Sequence, residues 1–276
     1  MKVNLLTDAP KHNLALMKLS AWHKEQGDEV LFNMPLWGGY RYASVLFDKT
    51  KIDADQYGGP AIENSRLENE IEIMKPDYDL YPVDYSLGYT YRPCFRGCSF
   101  CKVAGLNHPD TMHHTIWEFY DPKFKKICLL NNNTFMDKKW KLTFHEIWEE
   151  ELTIIDENGY DLRLLDYEKA AYLKQTKFDG KIHFAWDQIE DERQIINGLE
   201  LLKKFKITGH IYVLIGYDTT EEQDLHRCQK LIDFKQDPYI MPYGGTKKGK
   251  RFKRFIDSFM WRKYPTIEKA WKDYKK

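Results

Sequence analysis

The chain has 276 residues, of which 42% are hydrophobic, and 42 basic side chains balance 42 acidic ones. That apolar fraction supports a core and excludes global disorder; the length suits a main domain with a smaller companion, and no run approaches the ~18 apolar residues of a membrane span. The balance of charge is uneven: from Thr246 to Lys276 twelve Lys or Arg face three Asp or Glu, leaving thirty basic against thirty-nine acidic residues in the first 245. The start, Met1 to Asp8, has no apolar signal region or cleavage site, so a cytoplasmic protein without membrane attachment is expected. Thiols stay reduced there, and five Cys with three of them clustered point to metal binding rather than disulfides.

In chain order, Val3 to Leu6 reads as a strand. A helix follows on Leu14, Met17 and Ala21 and stops at Gly27, and Val30–Phe32 and Tyr42–Phe47 read as further strands. Strands alternating with helices favour a parallel sheet. Gly58-Gly59-Pro60 is turn chemistry, and the Pro-rich stretch to Pro82 reads as a linker. Beyond it come six further strand candidates: Ser86–Tyr91, Lys126–Leu130, Leu162–Leu165, Ile182–Trp186, His210–Ile215 and Tyr239–Met241. The helix between the second and third carries Phe144, Ile147, Trp148 and Ile155 on one face, with Gly159 near its end. Asp166 is suited to N-cap the next helix, Ile195, Leu199 and Leu202 stripe the one after, and Thr219-Thr220-Glu221-Glu222 is a capping-box pattern. The expected architecture is α/β: a small Rossmann-like domain over 1–82, a partial (β/α)6 TIM-like barrel over 83–245, and a basic helical tail over 246–276. A doubly wound sheet is the competing topology. In both, ligands gather at the C-terminal ends of the strands.

The stretch Tyr91-Arg92-Pro93-Cys94-Phe95-Arg96-Gly97-Cys98-Ser99-Phe100-Cys101 follows the first of these six strands. Three close thiolates suit an iron–sulfur cluster or zinc. Three cysteines can hold three irons of a cubane and leave the fourth open to a small molecule. Arg92, Arg96 and Lys102 bring positive charge that favours thiolate over thiol. Zinc would need a fourth ligand from His108, His113 or His114, but a second, separate C-x2-4-C unit is not present. A zinc-stabilised nucleic-acid-binding protein without catalysis is the alternative function.

The C-x3-C-x2-C loop, with aromatic Phe100 before the third Cys, resembles the signature of the radical S-adenosylmethionine (SAM) enzymes. The resemblance implies a 4Fe–4S cluster on Cys94, Cys98 and Cys101, with SAM chelating the open iron. It also implies reductive cleavage of SAM to a 5′-deoxyadenosyl radical that takes hydrogen from a substrate, and an external flavodoxin- or ferredoxin-like electron donor. By position it assigns Phe100 and Asn131-Asn132-Asn133 to the SAM site. It likewise places Asp187 near the ribose or carboxylate, with Gly216 and Tyr243 near the adenine. The first 80 residues resemble a trimmed cobalamin-type Rossmann domain, but the ligating pattern Asp-x-His-x-x-Gly is absent, since Asp8 and His12 have the wrong spacing, so cobalamin is not expected.

Arg163, in an otherwise apolar segment, has two readings: a contact to SAM or substrate carboxylate, or a partner for Asp161 or Asp166. His183 and His210 read as core histidines, and Cys128 and Cys228 as packing. The tail from Lys247 to Phe255 interleaves cations with aromatics, a combination that suits single-stranded nucleic acid. Against this stands closure of the barrel by an amphipathic helix presenting Phe255, Phe259 and Arg262.

Overall fold

The structure, a computed structural model, describes residues 1–34, 38–47, 49–62, 66–105 and 111–274. They form two compact units: Met1–Thr90 with His114–Cys128, and Tyr91–His113 with Leu129–Lys276. Both are α/β, and the pairings within β1–β4 and within β8–β10 are parallel.

In the first unit β1 (Lys2–Thr7) lies between β2 (Glu29–Phe32) and β3 (Tyr40–Ser44), with β4 (Gln56–Gly58) outside β3. A central parallel strand is covered on both faces, which is why Val3 to Leu6 is an unbroken buried run. Val3 and Leu5 pack on Leu16 and Leu19 of α1 (Leu14–Glu25), and Leu6 packs with Ala43 and Val45. Asn13 opens α1 by accepting the Leu16 N–H at 3.1 Å. The third strand stops short of the expected Phe47, because the Asp8 carboxylate takes the N–H groups of Leu46 (2.7 Å) and Phe47 (3.0 Å). The turn expected at Gly58-Gly59-Pro60 is preceded by β4, which sequence periodicity did not show. At Gly59 φ is +96°, and a Cβ would fall 2.6 Å from the Val45 carbonyl oxygen. The unit also holds α2 (Asn69–Glu72) and β5 (Ser86–Gly88), which pairs with β6 (Lys126–Leu129).

The second unit runs α3 (Trp140–Glu149), β7 (Thr153–Ile155), α4 (Tyr167–Gln175), β8 (Ile182–Ala185), α5 (Glu192–Phe205), β9 (Gly209–Ile215), α6 (Glu221–Asp233), β10 (Asp237–Pro242), α7 (Lys247–Asp257) and α8 (Ile267–Tyr274). Strand β9 lies between β8 and β10. Single parallel bridges join Ile154 to Phe178 and Tyr160 to Phe184. Asp166 caps α4 as expected, and the capping box of α6 is Thr220 with Gln223, one residue later than the Thr219-to-Glu222 pattern.

Two expected elements differ. The helix expected to continue to Ile155 ends at Glu149. Glu151 turns into the left-handed region at φ +54°, and Leu152 N–H closes onto the Ile147 carbonyl at 2.9 Å. That frees Thr153–Ile155 to be a strand. Leu162–Leu165, expected as a strand, is instead a 3-10 turn over Leu162–Leu164, because the Asp161 carboxylate accepts the Arg163 N–H at 3.1 Å. No helix among the described residues is long and apolar enough to cross a membrane.

Candidate metal and cofactor site

The three clustered cysteines are free thiols and half-buried, on an irregular loop of the second unit. The chain after β6 holds this loop. Asn131 Oδ1 accepts the Tyr91 N–H at 3.1 Å, and Asn132 Nδ2 donates to the Arg92 carbonyl at 2.6 Å. Within the loop Cys101 N–H donates to the Cys98 carbonyl at 3.0 Å. Gly97 has φ +64°, so the bend between Cys94 and Cys98 uses a conformation that other residues adopt at a cost.

Asp161 is the electrostatic hub of the site. It accepts from Arg96 Nε (2.9 Å), Arg163 Nε (2.8 Å) and Asn133 Nδ2 (3.1 Å). Burial alone would raise its pKa, but the hydrogen bond and charge of Arg163, with Arg96 beside it, hold the carboxyl below the usual range. Arg163 also donates through Nη1 to Asp191 at 2.7 Å. Burial would lower its pKa, and the two carboxylates outweigh that and keep it charged. The same guanidinium lies near enough to Cys98 to act on its thiol. Burial pushes the Cys98 thiol up, Arg163 pulls it down, and Cys101 and Cys94 push it up again. The three sulfurs therefore sense one another, with one arginine beside them.

An aromatic run leaves the loop. Phe100 meets Tyr217 edge-on at 5.8 Å between centroids, and Tyr217 meets Tyr243 at 4.7 Å. Gly216, at φ +73°, has open space where a Cβ would stand. Asp187, at the end of β8, is pushed up to about 6 by burial, against the pull of the Leu214 N–H, Arg227 and Arg163.

The structure thus brings Arg96 of the cysteine loop, Asn133 and Arg163 together on Asp161. It joins Phe100 and Tyr243 through Tyr217. Asn131 and Asn132 are committed to holding the loop, whereas the Asn133 Oδ1 is buried without a hydrogen-bond partner. Of the candidate zinc ligands, His113 is bonded to Asp137 at 2.6 Å and His114 to Glu118 at 2.9 Å, while His108 lies outside the described residues. Among the described residues no group of three or more His, Cys, Asp or Glu that could hold a metal ion is found. Three thiols on one loop are a donor set that iron–sulfur clusters and zinc both take.

Two contributors, Asp191 and Arg227, had no sequence signal as site residues, and Asp161 entered the sequence reading only as a candidate partner of Arg163. Arg227 is fully buried within α6, and its Nη1 donates to the carbonyls of Trp186 (2.8 Å) and Asp187 (2.7 Å) and its Nη2 to that of Leu214 (2.7 Å). It ties together the C-terminal ends of β8 and β9 and pairs with Asp224 at 2.6 Å. An arginine one position from an apolar stripe looks like a surface residue in sequence. Compared with known proteins, the chain matches no protein-family model and no curated protein.

Proposed function

We propose that this chain is a radical SAM enzyme that carries a 4Fe–4S cluster on Cys94, Cys98 and Cys101. The reading rests on one observation above the others: three free, half-buried thiols on a loop pinned by Asn131 and Asn132, whose Arg96 is held by the Asp161–Arg163 pair. When bound, the cluster supplies the electron that cleaves S-adenosylmethionine. The protein's part is positioning, charge and exclusion of water. Arg163, fixed by Asp161 and Asp191, offsets the negative charge that three thiolates bring to a half-buried loop. Asn133 Oδ1 is an acceptor suited to the SAM amino group. Tyr217 and Tyr243 form an aromatic wall from Phe100 outward, suited to an adenine ring. Asp187 stands just past β8 as a carboxyl that burial pushes up to about 6.

Under this reading β5 to β10 are the six strands of a partial barrel with the chemistry at their C-terminal ends. The electron comes from an external flavodoxin- or ferredoxin-like donor, and the five free thiols suit a reducing compartment such as the cytoplasm.

Anaerobic purification and reconstitution test the reading. The expected protein is brown, loses its colour when Cys94, Cys98 and Cys101 are changed to Ala, and releases 5′-deoxyadenosine when reduced in the presence of SAM. Protein that binds zinc and no iron, or that holds iron without cleaving SAM, refutes it.

A further inference from the structure

The parallel sheet β8-β9-β10 has two unlike faces. Burial alternates strictly along β8 and β9: one face is buried (Ile182, Phe184, Ile211, Val213, Ile215) and the other is only half-buried. The half-buried face carries rings in cross-strand register. His183 pairs with His210, and Tyr212 with Tyr239. His183 stacks on Tyr212 at 5.1 Å, and Tyr212 meets Tyr239 at 5.4 Å. Along β10 the same face continues through Tyr239 and Met241, and Tyr243 follows just beyond. These three are 37%, 45% and 45% exposed. Part-exposed rings along the edge strand of a sheet offer flat apolar surface that a planar ligand can cover.

Helix α7 supplies the complementary charge. Phe252, Phe255 and Ile256 are buried, so its apolar side is already used. Lys247, Lys250, Arg251 and Arg254, at i, i+3, i+4 and i+7, share the opposite side and are exposed. Of these, Lys247, Lys250 and Arg254 form no ion pair among the described residues, although the first 245 residues are net acidic. The first turns of α7 also wall a cavity of about 480 Å³ with Lys247, Lys248 and Arg251, beside Glu221 and Trp271. Glu221 is matched by Lys248 at 3.0 Å, which leaves the cavity net positive. Lys253 joins the two surfaces, its ammonium 3.9 Å from the centre of the Tyr239 ring.

We infer that the face of β10 and the cationic side of α7 together bind a single-stranded nucleic acid, with bases stacked along Tyr239 and Met241 and phosphates on Lys247, Lys250 and Arg254. Stacking rings beside a line of cations is the arrangement by which single strands are held without base pairing. A duplex hides its base faces and would use only the cations. The track leads through Tyr243 and Tyr217 to Phe100, next to Cys101. That the strand is also the substrate rests on the function proposed above; that it binds does not.

The test is fluorescence anisotropy of the full chain, purified anaerobically, with fluorescein-labelled oligouridylate and oligothymidylate of about 12 nucleotides. Binding is expected to weaken steeply with salt. Tyr239→Ala is expected to weaken it about tenfold. Lys247→Glu/Lys250→Glu/Arg254→Glu is expected to abolish it and flatten the salt dependence. The neutral Gln triple variant, which places no new carboxylate near Glu221, is expected to act in the same direction. Tighter binding of one of the two oligonucleotides identifies RNA or DNA as the partner. Equal affinity for a duplex of the same charge, or unchanged binding by the Gln triple and Tyr239→Ala variants, overturns the inference. Neither cluster nor SAM enters this measurement, so its failure is distinct from a failure of the radical chemistry.

Discussion

Arg163 shows how much of the site depends on one side chain. It bridges Asp161 and Asp191 and reaches Cys98, while Asp161 in turn holds Arg96 of the cysteine loop. Removing a buried partner leaves its counter-charges uncompensated, which costs more than the pair contributes net. Arg163→Met is therefore expected to lower stability by about 3 kcal/mol, read by urea denaturation. It is also expected to reduce the iron retained after reconstitution. Arg163→Lys keeps the charge but not the fork, and its retained iron is expected to fall between the two. Of the two sequence readings of Arg163, pairing with Asp161 is realised. Its second partner is Asp191, some thirty residues on, rather than the nearby Asp166, which caps α4 and pairs with Lys169. Cys228 is a packing residue, buried with its thiol pushed up to about 12 by desolvation.

At the scale of elements, the turn that carries Arg163 is set by a helix. A Cβ on Gly198 of α5 would fall 2.6 Å from the Leu162 carbonyl oxygen, so only glycine lets α5 pack so close to that turn. Gly198→Ala forces the two apart. The expected cost is about 1–3 kcal/mol in chemical denaturation, despite alanine's better helix propensity. Under the proposed function, displacement of the Arg163 turn should also reduce the iron retained on reconstitution, which iron analysis of the variant reads. Helices with caps and apolar stripes were legible: α5 on Ile195, Leu199 and Leu202, and α6 on a threonine capping box that falls one residue later than the pattern put it. The short segments were not. Leu162–Leu165 has the composition of a strand, but a local carboxylate closes it as a turn. Ile155 falls on the helical period of α3, but a left-handed Glu151 stops the helix first. In α7 the run through Phe255 was expected to continue to Phe259. The helix ends at Asp257 instead, and Phe259, at φ +53°, is 45% exposed under the Arg262 guanidinium. The tail thus both packs and presents charge, two roles that the sequence set against each other.

At the scale of the whole molecule, two carboxyls link stability to pH. Asp156, held by the N–H groups of His183 and Gly159, and Asp187 are both raised by burial to about 6 from an ordinary 3.8. A raised acid binds its proton more tightly when folded than when unfolded. Their contribution is therefore full below about pH 4 and is lost as pH rises through about 6. Asp187→Asn removes one share. Against the parent chain, its stability is expected to gain by on the order of 2 kcal/mol on going from acid to neutral pH. Urea midpoints across that range check it, and parallel pH profiles for the two proteins would falsify the assignment.

The sequence by itself determined the α/β class, the alternation of strands and helices, and the one loop on which three thiols must be neighbours. Those properties follow from local periodicity, capping and covalent spacing, which act over a few residues. Only the tertiary structure decided that Asp161 gathers Arg96, Asn133 and Arg163 at the thiol loop. It also decided that Arg227 is buried, and that the rings of β8, β9 and β10 lie in register beside the cations of α7. Ion pairs and cross-strand rows join residues tens of positions apart. Their energy depends on burial and distance, and neither exists until the chain has folded.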